Sequence, residues 1–195
     1  MSLRPVVVFA FADAAFGNEL AKRSRYGHAV YLSGCIVCWL TKSTSSVCLS
    51  TAEAEYIAAT EAVKDVVWLR NFLAELGFEQ AAPSQLFEDN QACVAMVNNH
   101  VVTGRNRHFC VKMAWLRQQV ANKVVRLVFV ASKNNVTDLF TKVLPPDTHV
   151  HLTAVLRPAG SEGCLNAGGV TSYVTVSTTF LFTKRLRLLD LLVCC

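Results

Sequence analysis

The chain has 195 residues, 52% of them hydrophobic and 17% charged, and carries a net charge of +5. This composition can fill a core, which excludes a disordered chain, and the length suits one domain or one domain with an appendage. No run approaches the roughly 18 uninterrupted apolar residues of a membrane span, and the mild basic excess permits a polyanionic partner without requiring one.

Residues 6–13 form a continuous β-branched and aromatic run ending at Asp13, the pattern of a buried strand. Arg4, this apolar run and Ala12-Asp13-Ala14 only loosely imitate a signal peptide and its cleavage site, so a cytoplasmic or nuclear protein is expected rather than a secreted one. Two further strands follow at 26–32 and 35–41, turned by Ser33-Gly34, and three short strands so joined predict an antiparallel meander. Cys35, Cys38, Cys48 and Cys93 fall in apolar or strand-like context and are expected as inert core thiols. Cys35-x-x-Cys38 lacks a second pair at zinc spacing.

The period then changes. Ala58, Ala62, Val66, Leu69, Leu73 and Leu76 recur at three or four residues and predict a helix over 51–76. Ser50 and Glu53 form its capping box and Gly77 its C-terminal cap. A strand over 85–88 runs into Asp89, with a helix over 91–97, a polar loop to Arg107, a helix over 109–121 and a strand over 124–131. A last helix over 136–143 is expected to stop at Pro145-Pro146. Later strands joined through helices imply parallel pairing. The fold class is α/β, a mixed five-stranded sheet flanked by helices over residues 1–150. Residues 151–195 read as a C-terminal extension without regular structure.

The chemistry is suggested by where the acids fall. Asp13 and Asp89 end strands, Glu55 lies early in the long helix and Asp138 opens the last one. In open α/β sheets, sites form at such strand ends. Four carboxylates at element ends suit hard divalent cations, and two such ions could activate water against a phosphodiester. Glu53 has a sufficient task in the cap, whereas Glu55, about 200° further around the helix, has none and is assigned to the site.

Several strings carry a resemblance: Leu49-Ser50-Thr51-Ala52-Glu53-Ala54-Glu55-Tyr56-Ile57-Ala58-Ala59, Val67-Trp68-Leu69-Arg70, Glu88-Asp89-Asn90-Gln91-Ala92 and Thr137-Asp138-Leu139-Phe140-Thr141-Lys142, with Arg23-Ser24 and Arg105-Asn106-Arg107-His108. Over residues 7–147, and in order, the chain resembles the ribonuclease H domain of copia-type LTR retrotransposon polyproteins. The resemblance implies an RNase H-like fold and hydrolysis of the RNA strand of RNA–DNA hybrids at a two-metal site. Mg²⁺ is the implied cofactor, with Mn²⁺ as a substitute. Asp13, Glu55, Asp89 and Asp138 match the family's catalytic, metal-holding carboxylates. Lys22, Arg23, Arg25, Asn90, Gln91, Arg105, Arg107 and His108 are candidates for nucleic-acid contact. The reverse transcriptase domain of a parent polyprotein is the implied partner, and no membrane is involved. The chain departs from the pattern at Ala15 and Phe16, at His108-Phe109-Cys110 and at Ala114, and residues 124–137 contain no histidine that could assist product release. The alternative is a weak or inactive remnant that at most binds nucleic acid.

Overall fold

Five strands, β1 (Val8–Ala15), β2 (Arg25–Leu32), β3 (Cys35–Ser43), β4 (Ser84–Glu88) and β5 (Val125–Phe129), form one sheet in the computed structural model, which describes residues 6–19, 21–98 and 110–156. Their order is β3-β2-β1-β4-β5. β1–β2 and β2–β3 pair antiparallel, and β1–β4 and β4–β5 pair parallel. The β2–β3 hairpin turns at Ser33 and Gly34, both at positive φ (51° and 88°), as a two-residue turn matched to strand twist requires. This is the expected meander followed by parallel strands, with β1 at the centre, where the pairing sense reverses.

Helix α1 (Thr51–Glu75) covers one face of the sheet. The Ser50 hydroxyl accepts from the Glu53 N–H at 3.1 Å, and Glu53 closes the box by accepting the Leu49 N–H at 2.7 Å. At the other end Gly77 (φ 85°) and Phe78 donate backward to Ala74 and Leu73, a Schellman ending. Five of the six stripe residues are buried; Leu76, at the C-cap, is exposed. Ala54, Ala58, Ala59 and Ala62 are all fully buried, and their small side chains let the helix lie close on the strands. Arg70 fixes the connection into β4 by donating to the Gln80 and Ala82 carbonyls and to Ser84 Oγ at 2.6–3.0 Å. Cys48 and Cys93 are buried, but Cys35 and Cys38 are only half-buried. The Cys38 thiol donates to Asp65, which also pairs with His28 Nε2 at 2.9 Å.

The opposite face is aromatic. Phe9 stacks on Tyr31 and Phe11 on Phe87, each with ring centroids 4.8 Å apart. Val136, Phe140 and Leu156 pack over this layer. Helices α2 (Gln91–Asn98) and α3 (Cys110–Ala121) follow β4. The expected helix over 136–143 is shorter: a 3₁₀ turn (Ser132–Asn134) leads to α4 (Asp138–Thr141). Pro145-Pro146 does not end regular structure, because Pro146 begins α5 (Pro146–Leu156). Proline suits a first helical position, whose N–H needs no partner. α5 runs past residue 150 and fully buries Leu152. The rest of the expected extension, residues 157–195, lies outside the described residues. Among the described residues no helix is long and apolar enough to cross a membrane.

Gly27 positions α4. A methyl group there would lie 3.0 Å from Phe140 Cβ, 3.1 Å from the Leu40 carbonyl oxygen and 3.2 Å from Thr141 Cγ2. Gly27→Ala should therefore destabilise the domain by about 1–3 kcal/mol through overpacking, since a backbone carbonyl cannot step aside as a flexible side chain can. Urea unfolding checks this, and an unchanged midpoint would mean that α4 shifts freely.

Candidate active site

The register of β1 against β4 builds the site. Phe11 pairs with Phe87, the last parallel pair, so two residues further on Asp13 and Asp89 come level at the point where the two strands part. Asp13 does not end its strand: β1 continues to Ala15 against β2, with Asp13 opposite Gly27. The missing side chain at Gly27 admits α4, which brings Asp138, Thr141 and Lys142 over the carboxylate. Asn135 ties that segment to β1 by donating to the Ala12 carbonyl at 2.9 Å.

Asp13 is fully buried. It accepts from the Thr141 hydroxyl, and its other oxygen takes Lys142 Nζ at 2.8 Å. The same ammonium reaches Asp138 at 2.6 Å. Burial works against the charge on Lys142, but Asp13 and Asp138 outweigh it and hold its pKa above the ordinary value. Burial pushes Asp138 up to about 6, with Lys142 opposing the shift and the charges of Asp13 and Asp89 adding to it.

Glu55 enters from the start of α1. It is 6% exposed, and burial, then the charges of Asp13 and Asp89, push its pKa up to about 9. Beneath it lies Glu88, fully buried and raised well above the carboxylate range by burial, then by Glu55 and Asp89. One Glu88 oxygen accepts the Asn90 N–H at 3.3 Å. Glu88 Oε2 and Glu55 Oε2 are buried without a hydrogen-bond partner. Oxygens of Asp13, Asp89 and Asp138 lie within 4.8 Å of one another, as do oxygens of Glu55, Glu88 and Asp89. Buried carboxylates so crowded must be neutralised, by protons or by cations. Orphaned, oxygen-only donors fit hard divalent ions.

All four carboxylates singled out from sequence thus converge. Of the candidate substrate contacts, Arg23 and Lys22 are exposed, while Arg25 is paired with Glu19 at 2.8 Å. Asn90 has a structural task as well: its Oδ1 accepts the Cys93 N–H at 3.0 Å, capping α2. Gln91 is exposed in the first turn of that helix. Arg105, Arg107 and His108 lie outside the described residues. Sequence reasoning missed Glu88, Thr141 and Lys142 as members of the site. Lys142 follows Asp138 by four residues, a spacing that places the two on one helical face. Glu88 continues the inward alternation Ser84, Leu86, Glu88 along β4.

No family model matches the chain. It is 33% identical over 140 residues, 71% of its length, to the Pol polyprotein of the Nicotiana tabacum transposon TNT 1-94, and 29% identical over 144 residues to the Ty1-H Gag-Pol polyprotein of Saccharomyces cerevisiae. The chain spans about a tenth of the length of these relatives, 10% and 8% respectively. Among solved structures, an N-terminal RNase H domain from Mycobacterium tuberculosis superposes with a TM-score of 0.50 at 16% identity, covering 76% of this chain and 97% of that one. LC11-RNase H1, solved in complex with an RNA/DNA hybrid, superposes with a TM-score of 0.52 at 15% identity, covering 69% and 93%. With β1 at the pairing switch and the long α1 across the sheet, the fold is that of ribonuclease H, and the chain belongs to the retrotransposon Pol polyproteins as their ribonuclease H domain.

Proposed function

We propose that the chain is a copia-type ribonuclease H that hydrolyses the RNA strand of RNA–DNA hybrids with divalent metal. The observation that carries this reading is the meeting of two three-carboxylate groups at a shared Asp89. Two Mg²⁺ ions, or Mn²⁺ in their place, would supply an activated water and stabilise the leaving oxygen of the phosphodiester. Asp13, Asp89 and Asp138 would hold one, with Glu55 and Asp89 toward the other. Thr141 and Lys142 fix the Asp13 carboxylate in orientation, and Lys142 does the same for Asp138.

Substrate binding falls to groups around this centre. Exposed Arg23 offers its guanidinium to backbone phosphates without regard to sequence. Asn90 spends its carbonyl oxygen on α2, which leaves its amide N–H groups to donate, and Gln91 stands at that helix start. Such neutral amides can read a 2′-hydroxyl and so tell RNA from DNA. Arg105, Arg107 and His108 are assigned to substrate contact by their motif alone. The partner is the reverse transcriptase domain of the parent polyprotein, which would guide the hybrid across this face, in cytoplasm or nucleus.

The test is cleavage of an end-labelled RNA–DNA hybrid by the purified chain in Mg²⁺ and in Mn²⁺, beside Asp89→Asn. Metal-dependent cutting of the RNA strand alone, lost in the variant, is the expected result. A folded protein that cuts in neither metal, even with the polymerase domain added, would leave an inactive remnant.

A further inference from the structure

We propose that Glu88 is a fifth carboxylate of this centre and completes, with Glu55 and Asp89, a cation pocket of its own for a hard divalent ion. The inference rests on the metal-dependent reading above and extends it to a residue outside the family's matched four.

Three observations carry it. Glu88 occupies an inward position of β4, where the pattern Ser84, Leu86, Glu88 would ordinarily place an apolar side chain, and it is completely buried. Its Oε2 and the Oε2 of Glu55 have no hydrogen-bond partner, although each is sealed from solvent. A buried carboxylate oxygen left unpaired is costly, and native structures rarely keep one without a function or a bound group that satisfies it. A structural carboxyl would be expected to use both oxygens, yet only the other Glu88 oxygen finds a donor, the Asn90 N–H.

The second observation is the distribution of positive charge. Lys142 serves Asp13 and Asp138, the two carboxylates that the other group has besides the shared Asp89. Among the described residues, no cationic side chain pairs with Glu55, Glu88 or Asp89. Lys142 is near enough to ease the charge on Glu55 but its ion pairs are with Asp13 and Asp138, so the group around Glu88 has no paired ammonium of its own among the described residues.

The third is geometry. One oxygen from each of Glu55, Glu88 and Asp89 lies within 4.8 Å of the others, close enough for one ion to bridge all three. Three carboxylate oxygens suit Mg²⁺ or Mn²⁺, with water completing the shell and the soft metals disfavoured.

Mn²⁺ titration of the full chain, followed by electron paramagnetic resonance and calorimetry, tests the assignment beside Glu88→Gln, Glu55→Gln and Asp138→Asn. Glu88→Gln should weaken one Mn²⁺ at least tenfold, as should Glu55→Gln, and should melt in EDTA at or above the wild-type temperature, because it removes an unpaired buried acid. Glu88→Ser, which empties the position of its carboxylate, should show the same loss if the glutamine variant folds poorly. Mn²⁺ affinity within twofold of wild type in a folded Glu88 variant, with Glu55→Gln still impaired, would overturn the role of Glu88 and leave the metal centre standing. Failure of the wild type to bind Mn²⁺ at all would remove the metal-dependent reading itself.

Discussion

Asp13→Asn is expected to lower metal-dependent cleavage of a hybrid on the order of 10³-fold, about 4 kcal/mol of transition-state stabilisation, while the protein stays folded. Asp13 stands level with Asp89 at the point where β1 and β4 part, and it contributes to the carboxylate group that also contains Asp138. Asparagine keeps the shape and an acceptor for the Thr141 hydroxyl, and Lys142 keeps Asp138 as its partner. What disappears is one negative charge at the place where positive charge must be concentrated, a contribution worth several kcal/mol in metal-assisted hydrolysis. Single-turnover rates at saturating metal, with circular dichroism melts as the folding control, decide it. A folded variant within tenfold of wild type would reduce Asp13 to an anchor for Lys142.

How far the sequence reveals this site depends on the range over which each residue's environment is set. Helix α1 was legible in full because periodicity, the Ser50–Glu53 box and Gly77 are all local signals, and the distinction between Glu53 in the cap and Glu55 in the site follows from helical geometry. The antiparallel and parallel pairings follow from connection lengths. Glu88 was not legible. Its burial depends on β4 lying between β1 and β5 and beneath α1, a consequence of pairings that no local window contains. Gly27 reads as an ordinary strand glycine until α4 is seen packed on it, more than a hundred residues further along the chain. Pro145-Pro146 misled in the other direction, because the same dipeptide that stops one helix can open the next. Asn90 shows a milder form of the problem: its motif points to substrate, and it also caps α2.

The same crowding of acids gives the metal-free domain an inverted response to pH. Glu55 has a pKa of about 9 in the fold against an ordinary 4.5, and Asp138 about 6 against 3.8. Groups shifted upward hold their protons more tightly folded than unfolded, so folding takes up protons between the two values. Stability is then greatest when these groups are protonated and falls as pH rises, from about 4.5 to 9 for Glu55 and from about 3.8 to 6 for Asp138. Lys142, raised above its ordinary 10.5, adds stability that is constant throughout this range. One proton corresponds to about 1.4 kcal/mol per pH unit, so acidifying the EDTA-treated protein from about pH 8 to about pH 6 should stabilise it by about 3 kcal/mol through Glu55 alone, with Asp138 and the upward-shifted Glu88 acting in the same direction. Saturating Mg²⁺ competes with those protons for the same oxygens and should flatten the slope while raising stability most at the alkaline end. Urea midpoints across pH, in EDTA and in Mg²⁺, measure both. Stability in EDTA that holds level or climbs toward pH 8 would mean that the carboxylates ionise together without penalty, and the charge argument for a cation at Asp89 would fail with it.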